Sequence, residues 1–155
     1  MKKFFQERQA SAGAVGPNLR LGKVVKIENE RALKAFVTAG GVQADPLDAH
    51  RQGVDAFLFH GCPQVAAPNI EAEGLRLSFA AHGMLGRGLY GAPDPRKSKG
   101  YAHDNQNGTF MFICRFNLST AKHAGPQTKH RNDVFDEFCI FDDKQVVVLW
   151  MLKLA

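Results

Sequence analysis

The chain has 155 residues and a mass of 17.1 kDa, the size of one compact domain. With 45% hydrophobic and 23% charged residues it sits near the averages for soluble globular proteins, which excludes disordered, collagenous and coiled-coil classes. A formal net charge of +5 favours anionic partners without selecting one. Cys62, Cys114 and Cys139 form an odd, widely spaced set, which argues against a disulfide framework and against a CxxC metal or redox motif. A reducing, cytoplasmic setting is expected, with the nucleus left open. No apolar signal core develops after Met1-Lys2-Lys3-Phe4-Phe5, and no run approaches the roughly 18 apolar residues of a membrane span.

Residues 1–17 are mostly polar or small, with Ser11, Gly13, Gly16 and Pro17, and predict a flexible lead-in to a single domain over residues 18–155. Leu21 to Ile27 carries β-branched residues and predicts a strand. Glu28 to Val37 follows with helix formers, Asn29 as N-cap, apolar Leu33, Phe36 and Val37 at helical spacing, and Gly40-Gly41 as the stop. Asp55 to His60 predicts a strand ending on the turn residues Gly61-Cys62-Pro63. A helix is expected from Ala66 or Ala67 to Glu73, closed by Gly74. Leu75 to Gly91 is glycine-rich and reads as loop, and Lys97 to Ala102 as the end of a short helix. Thr109 to Phe116 predicts a strand, with two more at Phe138 to Phe141 and Gln145 to Met151, joined by the turn Asp142-Asp143-Lys144. Short strands outnumber helices, so the expected fold class is α+β.

Gly86-Arg87-Gly88-Leu89-Tyr90-Gly91 matches G-x-G-x-x-G, but no strand leads into it and no helix opens from it, as a Rossmann site requires. No kinase lysine or catalytic loop appears, and no Walker A sequence is present. By themselves these glycines form a tight turn or let a backbone approach a ligand closely.

Four pieces in order narrow the reading. His60-Gly61 ends a strand, Gly86-Arg87-Gly88-Leu89-Tyr90 follows, then Lys97-Ser98-Lys99-Gly100-Tyr101, and finally Asp136-Glu137-Phe138. Together they resemble the catalytic domain of the poly(ADP-ribose) polymerase family: a His-Gly pair, a G-x-G-[IL]-Y-F-A loop, a K-S-x-x-Y helix and an acidic residue opening a late strand. The likeness runs from about Asn18 to Leu154 and includes Ile27-Glu28-Asn29 and the closing Glu137-Phe138-Cys139-Ile140-Phe141-Asp142-Asp143-Lys144-Gln145-Val146. It implies an ADP-ribosyltransferase fold, with mostly antiparallel split β-sheets flanked by short helices, and a nearly bare catalytic domain over residues 18–155.

The resemblance also implies roles. The catalytic residues would be His60, Tyr90 and Glu137. His60 would bond the adenine-ribose hydroxyls of NAD, and Gly61 and Ser98 the nicotinamide carboxamide. Tyr90 and Tyr101 would sandwich the nicotinamide ring, and Arg76 would lie near the pyrophosphate. Glu137 would bond the nicotinamide-ribose 2′-hydroxyl and stabilise an oxocarbenium-like centre. The residue types suit that chemistry, because breaking the bond to nicotinamide puts positive charge on the ribose and a carboxylate stabilises it. Aromatic faces grip a flat cationic ring, and fixing donor and acceptor on opposite sides lowers the barrier further. NAD is the co-substrate, and no metal is called for. Taken singly, each residue has an ordinary reading: a structural histidine, half-buried tyrosines, a capping serine, a solvated strand end.

Two positions depart from the family pattern. Cys62 stands where many members carry Ser or Thr, and a thiol bonds more weakly. Gly91 stands where Phe is usual, which suggests a wider pocket and an expectation that Gly91→Phe tightens nicotinamide-like inhibitors. The segment Ala121 to Val134 carries Lys122, His123, Lys129, His130 and Arg131 and could attract an anionic acceptor. The implied function is transfer of ADP-ribose from NAD to a protein acceptor, the chain itself included, with elongation to a polymer compatible with the His-Tyr-Glu set. A nucleic-acid acceptor is a lesser alternative, and no membrane partner is expected. NAD hydrolysis and a non-catalytic NAD or ADP-ribose binding module are the competing functions.

Overall fold

The computed structural model describes residues 1–10, 17–41, 55–80, 82–101, 110–126 and 135–155. The long apolar runs become β2 (Asp55–Gly61), β6 (Phe110–Asn117) and β9 (Val146–Leu154), which join β1 (Leu21–Lys26) in an antiparallel sheet of order β1-β9-β6-β2. One face of this sheet buries Leu58, Phe112, Cys114, Phe116 and Val148 against Ala67 and Ile70. The other buries Phe57, Phe59, Met111 and Ile113 against Phe4 and Phe5. Coverage of both faces is why these strands read as continuous apolar runs rather than as alternations. The β6–β9 register slips between Ile113, paired with Trp150, and Cys114, paired with Val148. The extra residue on β9 switches its parity, so Val146 and Val148 serve one face while Leu152 and Leu154 serve the other.

The expected flexible lead-in is replaced over its first part by a helix, α1 (Lys2–Ala10). Its buried face is narrow: Phe5 is fully buried, Phe4 nearly so, and Phe5 meets Phe59 edge-on with ring centroids 5.8 Å apart. The third inward residue is Gln9, whose Oε1 accepts from Leu19 N at 2.6 Å while Nε2 donates to Leu19 O at 3.2 Å. A polar side chain satisfied in this way can sit in a core, but in sequence it looks like surface.

α2 (Glu30–Thr38) starts where expected, with the Asn29 side chain accepting from Ala32 N at 3.0 Å. α3 (Ala67–Glu73) stops at Gly74, which takes φ +80°, a conformation that favours glycine. The stretch read as loop holds a 3₁₀ turn (Leu77–Phe79), a small hairpin of β3 (His82–Gly83) and β4 (Gly86–Arg87), and β5 (Leu89–Gly91). Strands this short arise from their partners and carry no periodicity of their own. α4 (Pro95–Lys99) follows.

β5 belongs to a second antiparallel sheet of order β5-β8-β7, with β7 (Lys122–Ala124) and β8 (Glu137–Ile140). The segment Ala121 to Val134 therefore opens as an edge strand. The last two strands are joined by a turn as expected, but they lie in different sheets, and the 3₁₀ turn Asp143–Gln145 carries the chain from one to the other. The two sheets touch where Phe59 and Ala92 exchange backbone hydrogen bonds of 2.8 and 2.9 Å. Helices and antiparallel sheets together bear out the α+β class. Among the described residues no helix is long and apolar enough to cross a membrane.

Candidate active site

The Phe59–Ala92 bridge brings the end of β2 alongside β5, and the first consequence is at His60. Its Nδ1 lies 2.7 Å from the Tyr90 carbonyl oxygen. A carbonyl can only accept, so Nδ1 carries the hydrogen. Burial pushes the imidazole pKa below its ordinary value, against a smaller opposing effect of that carbonyl. The ring is therefore neutral at pH 7, and Nε2 keeps a lone pair that can accept from a hydroxyl.

Tyr90 is held at its other end. Its hydroxyl donates to Gly86 O at 2.5 Å and accepts from Leu85 N at 3.0 Å, which ties the turn between β3 and β4 to the ring. Burial is the main cause that pushes this phenol up to about 12, so it remains a donor. Gly83 lies against the same ring: a Cβ there would come within 2.5 Å of the hydroxyl.

α4 packs directly on the end of β2. A Cβ on Gly61 would lie 1.8 Å from Ser98 O, so only glycine permits this approach. Ser98 is buried, and its hydroxyl donates to Phe59 O at 2.8 Å. Just beyond α4, the Tyr101 hydroxyl donates to Glu137 Oε2 at 2.6 Å, joining the chain after the helix to the first residue of β8. Glu137 is buried, whereas Tyr101 is 40% exposed.

A cleft of about 410 Å³ opens between these elements, lined by His60, Gly61, Arg76, Tyr90 and Tyr101, among others. Five of the seven sequence-predicted site residues thus share one cavity of the size that holds small molecules. Ser98 and Glu137 do not line it. Ser98 braces α4 against β2, and Glu137 is connected to the cleft through the Tyr101 hydroxyl. Arg76 pairs with Glu73 at 3.5 Å and is about half exposed.

Sequence reading passed over one buried ionic group. Arg96 and Asp94, both nearly inaccessible, pair at 2.8 Å, and the Asp94 carboxylate also accepts from Arg96 N at 2.9 Å as the cap of α4. The Arg96 guanidinium donates to the Gln9 carbonyl on α1 and lies 5.7 Å from the centre of the Phe135 ring, two residues before Glu137. The available signal was Asp-Pro at the start of a helix, which marks a capping aspartate but not its partner. Of the basic residues expected to attract an acceptor, Lys122 sits over the Phe141 ring and His123 bonds Asp136 at 2.8 Å while stacking on Phe138. Lys129, His130 and Arg131 lie outside the described residues.

Comparison with known protein families matches residues 1–133 to the poly(ADP-ribose) polymerase catalytic domain. The chain belongs to this family. Its members are ADP-ribosyltransferases that use NAD as co-substrate and modify protein acceptors. The match ends before β8, so Glu137 falls outside it. No curated protein matches the chain.

Against the family pattern, the structure reverses the expectation for Gly91. Tyr90 faces the small cluster of Leu85 and Cys139, so its neighbours on β5 face the opposite way. A Cβ at Gly91 would lie 2.8 Å from the Phe116 ring and 2.9 Å from Leu58 Cβ. The missing Phe of the family loop is replaced by core packing, and position 91 does not widen the cleft. Cys62 lines the cleft and is buried in the main core cluster. Among the described residues no group of three or more His, Cys, Asp and Glu side chains is arranged to hold a metal ion.

Proposed function

We propose that this member of the poly(ADP-ribose) polymerase family moves ADP-ribose from NAD to a protein acceptor, the chain itself among the candidates, and releases nicotinamide. The observation that carries this reading is the convergence of His60, Tyr90 and Tyr101 on one cleft, with Glu137 hydrogen-bonded to Tyr101 at 2.6 Å. His60 Nε2 accepts from the adenine-ribose hydroxyls. The Gly61 backbone bonds the nicotinamide carboxamide, Arg76 faces the pyrophosphate, and the two tyrosines hold the nicotinamide ring. Ser98, whose hydroxyl is directed at Phe59 O, supports this floor and adds a carboxamide contact only by turning its hydroxyl.

In the reaction the bond from C1′ of the ribose to the nicotinamide nitrogen breaks, and its electron pair leaves with nicotinamide. The acceptor attacks C1′ from the opposite side and releases its proton to solvent. The Glu137 carboxylate, which lies beside the cleft behind the Tyr101 hydroxyl, takes up the 2′-hydroxyl only when a small shift of that pair brings it to the cleft wall, and there it stabilises the positive charge that develops on the ribose. Its bond to Tyr101 couples the orientation of that carboxylate to the ring that grips the leaving group, so binding and charge stabilisation are organised together.

The test is incubation with NAD labelled in the adenylate moiety. Acid-insoluble label is the expected product, and ladder length reads any elongation. Glu137→Gln should lower transfer by about two to three orders of magnitude while nicotinamide binding persists. A variant with full transfer would remove Glu137 from the mechanism. Nicotinamide release without bound label would assign hydrolysis instead, and neither product would assign a binding module.

A further inference from the structure

Phe79 is 82% exposed and yet forms part of the cleft wall. Of the other exposed large apolar residues among those described, Val37, Val65 and Met84 do not line the cleft, and Tyr101, which does, is only 40% exposed and hydrogen-bonded to Glu137. The turn that carries Phe79 is fixed from several directions. Leu77 N donates to Asp143 Oδ1 at 2.5 Å, and Phe79 N donates to Arg76 O at 3.1 Å. Arg87 Nη2 donates to Ser78 O at 3.1 Å, and Arg87 Nε donates to Ala80 O at 3.2 Å. One guanidinium therefore grips the carbonyls on both sides of Phe79. Hydrogen bonds this exposed compete with water and add little stability, so their main effect is to set the geometry of the turn.

An apolar ring held in a cleft wall, largely exposed and outside the core clusters of the described residues, has the properties of a stacking platform. Phe79 stands three residues from Arg76 along a 3₁₀ turn, about 6 Å at the rise of such a helix. That spacing is comparable with one ribose between a phosphate and its base. Tyr90 and Tyr101 take one flat group of NAD in the reading above, and the other flat group is adenine.

We propose that Phe79 stacks on the adenine ring of NAD and sets the preference of that end of the cleft for a purine, with Arg87 holding the turn in place. The proposal rests on the NAD reading of the site. Stacking of a base on an aromatic side chain supports roughly a tenfold effect on truncation.

The experiment titrates wild type, Phe79→Ala and Phe79→Trp with NAD, ADP-ribose and nicotinamide, alongside steady-state transfer. Phe79→Ala should weaken NAD and ADP-ribose about tenfold and leave nicotinamide affinity and kcat at saturating NAD within twofold of wild type. Phe79→Trp should restore binding. Loss of an exposed ring leaves the core intact, so thermal stability should not move. Unchanged ADP-ribose affinity in Phe79→Ala overturns the proposal alone, as does reduced transfer with unchanged ADP-ribose affinity, which would turn the ring toward the acceptor. A wild-type chain that binds neither NAD nor ADP-ribose overturns the NAD reading and this one with it.

Discussion

At position 91 the identity of a residue and the direction it faces part company. The motif around Tyr90 was legible in sequence because its order survives in the chain, but a motif does not say which way each side chain points. Strand alternation does, and it sends position 91 into Phe116 and Leu58. Gly91→Phe should therefore destabilise the protein by roughly 3 kcal/mol through overpacking, read as a lowered urea midpoint. An unchanged midpoint with tighter inhibitor binding would restore the sequence-based expectation. The same limit applies at Ser98 and Glu137. The Ser98 hydroxyl is directed at Phe59 O and the Glu137 carboxylate is reached through Tyr101, details that no spacing encodes.

Among elements, those with a periodic or continuous apolar pattern were readable, and α1 and the strands of two or three residues were not. α1 buries two adjacent phenylalanines and a hydrogen-bonded glutamine, too narrow a stripe to register as amphipathic. Its place is nonetheless definite, because Arg96 ties the Gln9 carbonyl to the cap of α4, the helix that bears Ser98 and leads to Tyr101. Arg96→Met would leave the Asp94 carboxylate buried without its ion partner, and should cost about 3–5 kcal/mol. Asp94→Asn in that background keeps a capping side chain and removes the charge. The double variant should thus be more stable than Arg96→Met alone by at least 1 kcal/mol, roughly, in chemical denaturation. Strictly additive losses would deny the coupling.

For the molecule as a whole, His60 links the site to stability. Its folded-state pKa lies below the ordinary value of about 6.5, so above that pH neither the folded nor the unfolded chain protonates it. As the pH falls below about 6.5 the unfolded chain takes up a proton that the folded chain refuses, and stability declines. The urea midpoint should drop between pH 7 and pH 5, and His60→Gln should flatten that drop; an equal slope in the variant would place its origin elsewhere. The α+β class was legible from the balance of strands and helices, but the split into two sheets was not, because it depends on the short β5 and β7 finding β8. That split has a mechanical consequence. The sheets are fastened at the Phe59–Ala92 bridge, by residues 118–121 between β6 and β7, and by residues 141–145 between β8 and β9, connectors that even fully extended reach about 14 and 17 Å. Three fastenings oppose sliding, separation and tilting of the sheets together, and the Gln145 side chain ties two of them to each other through the Thr120 hydroxyl at 2.8 Å, so the two sheets form a clamp of fixed gauge.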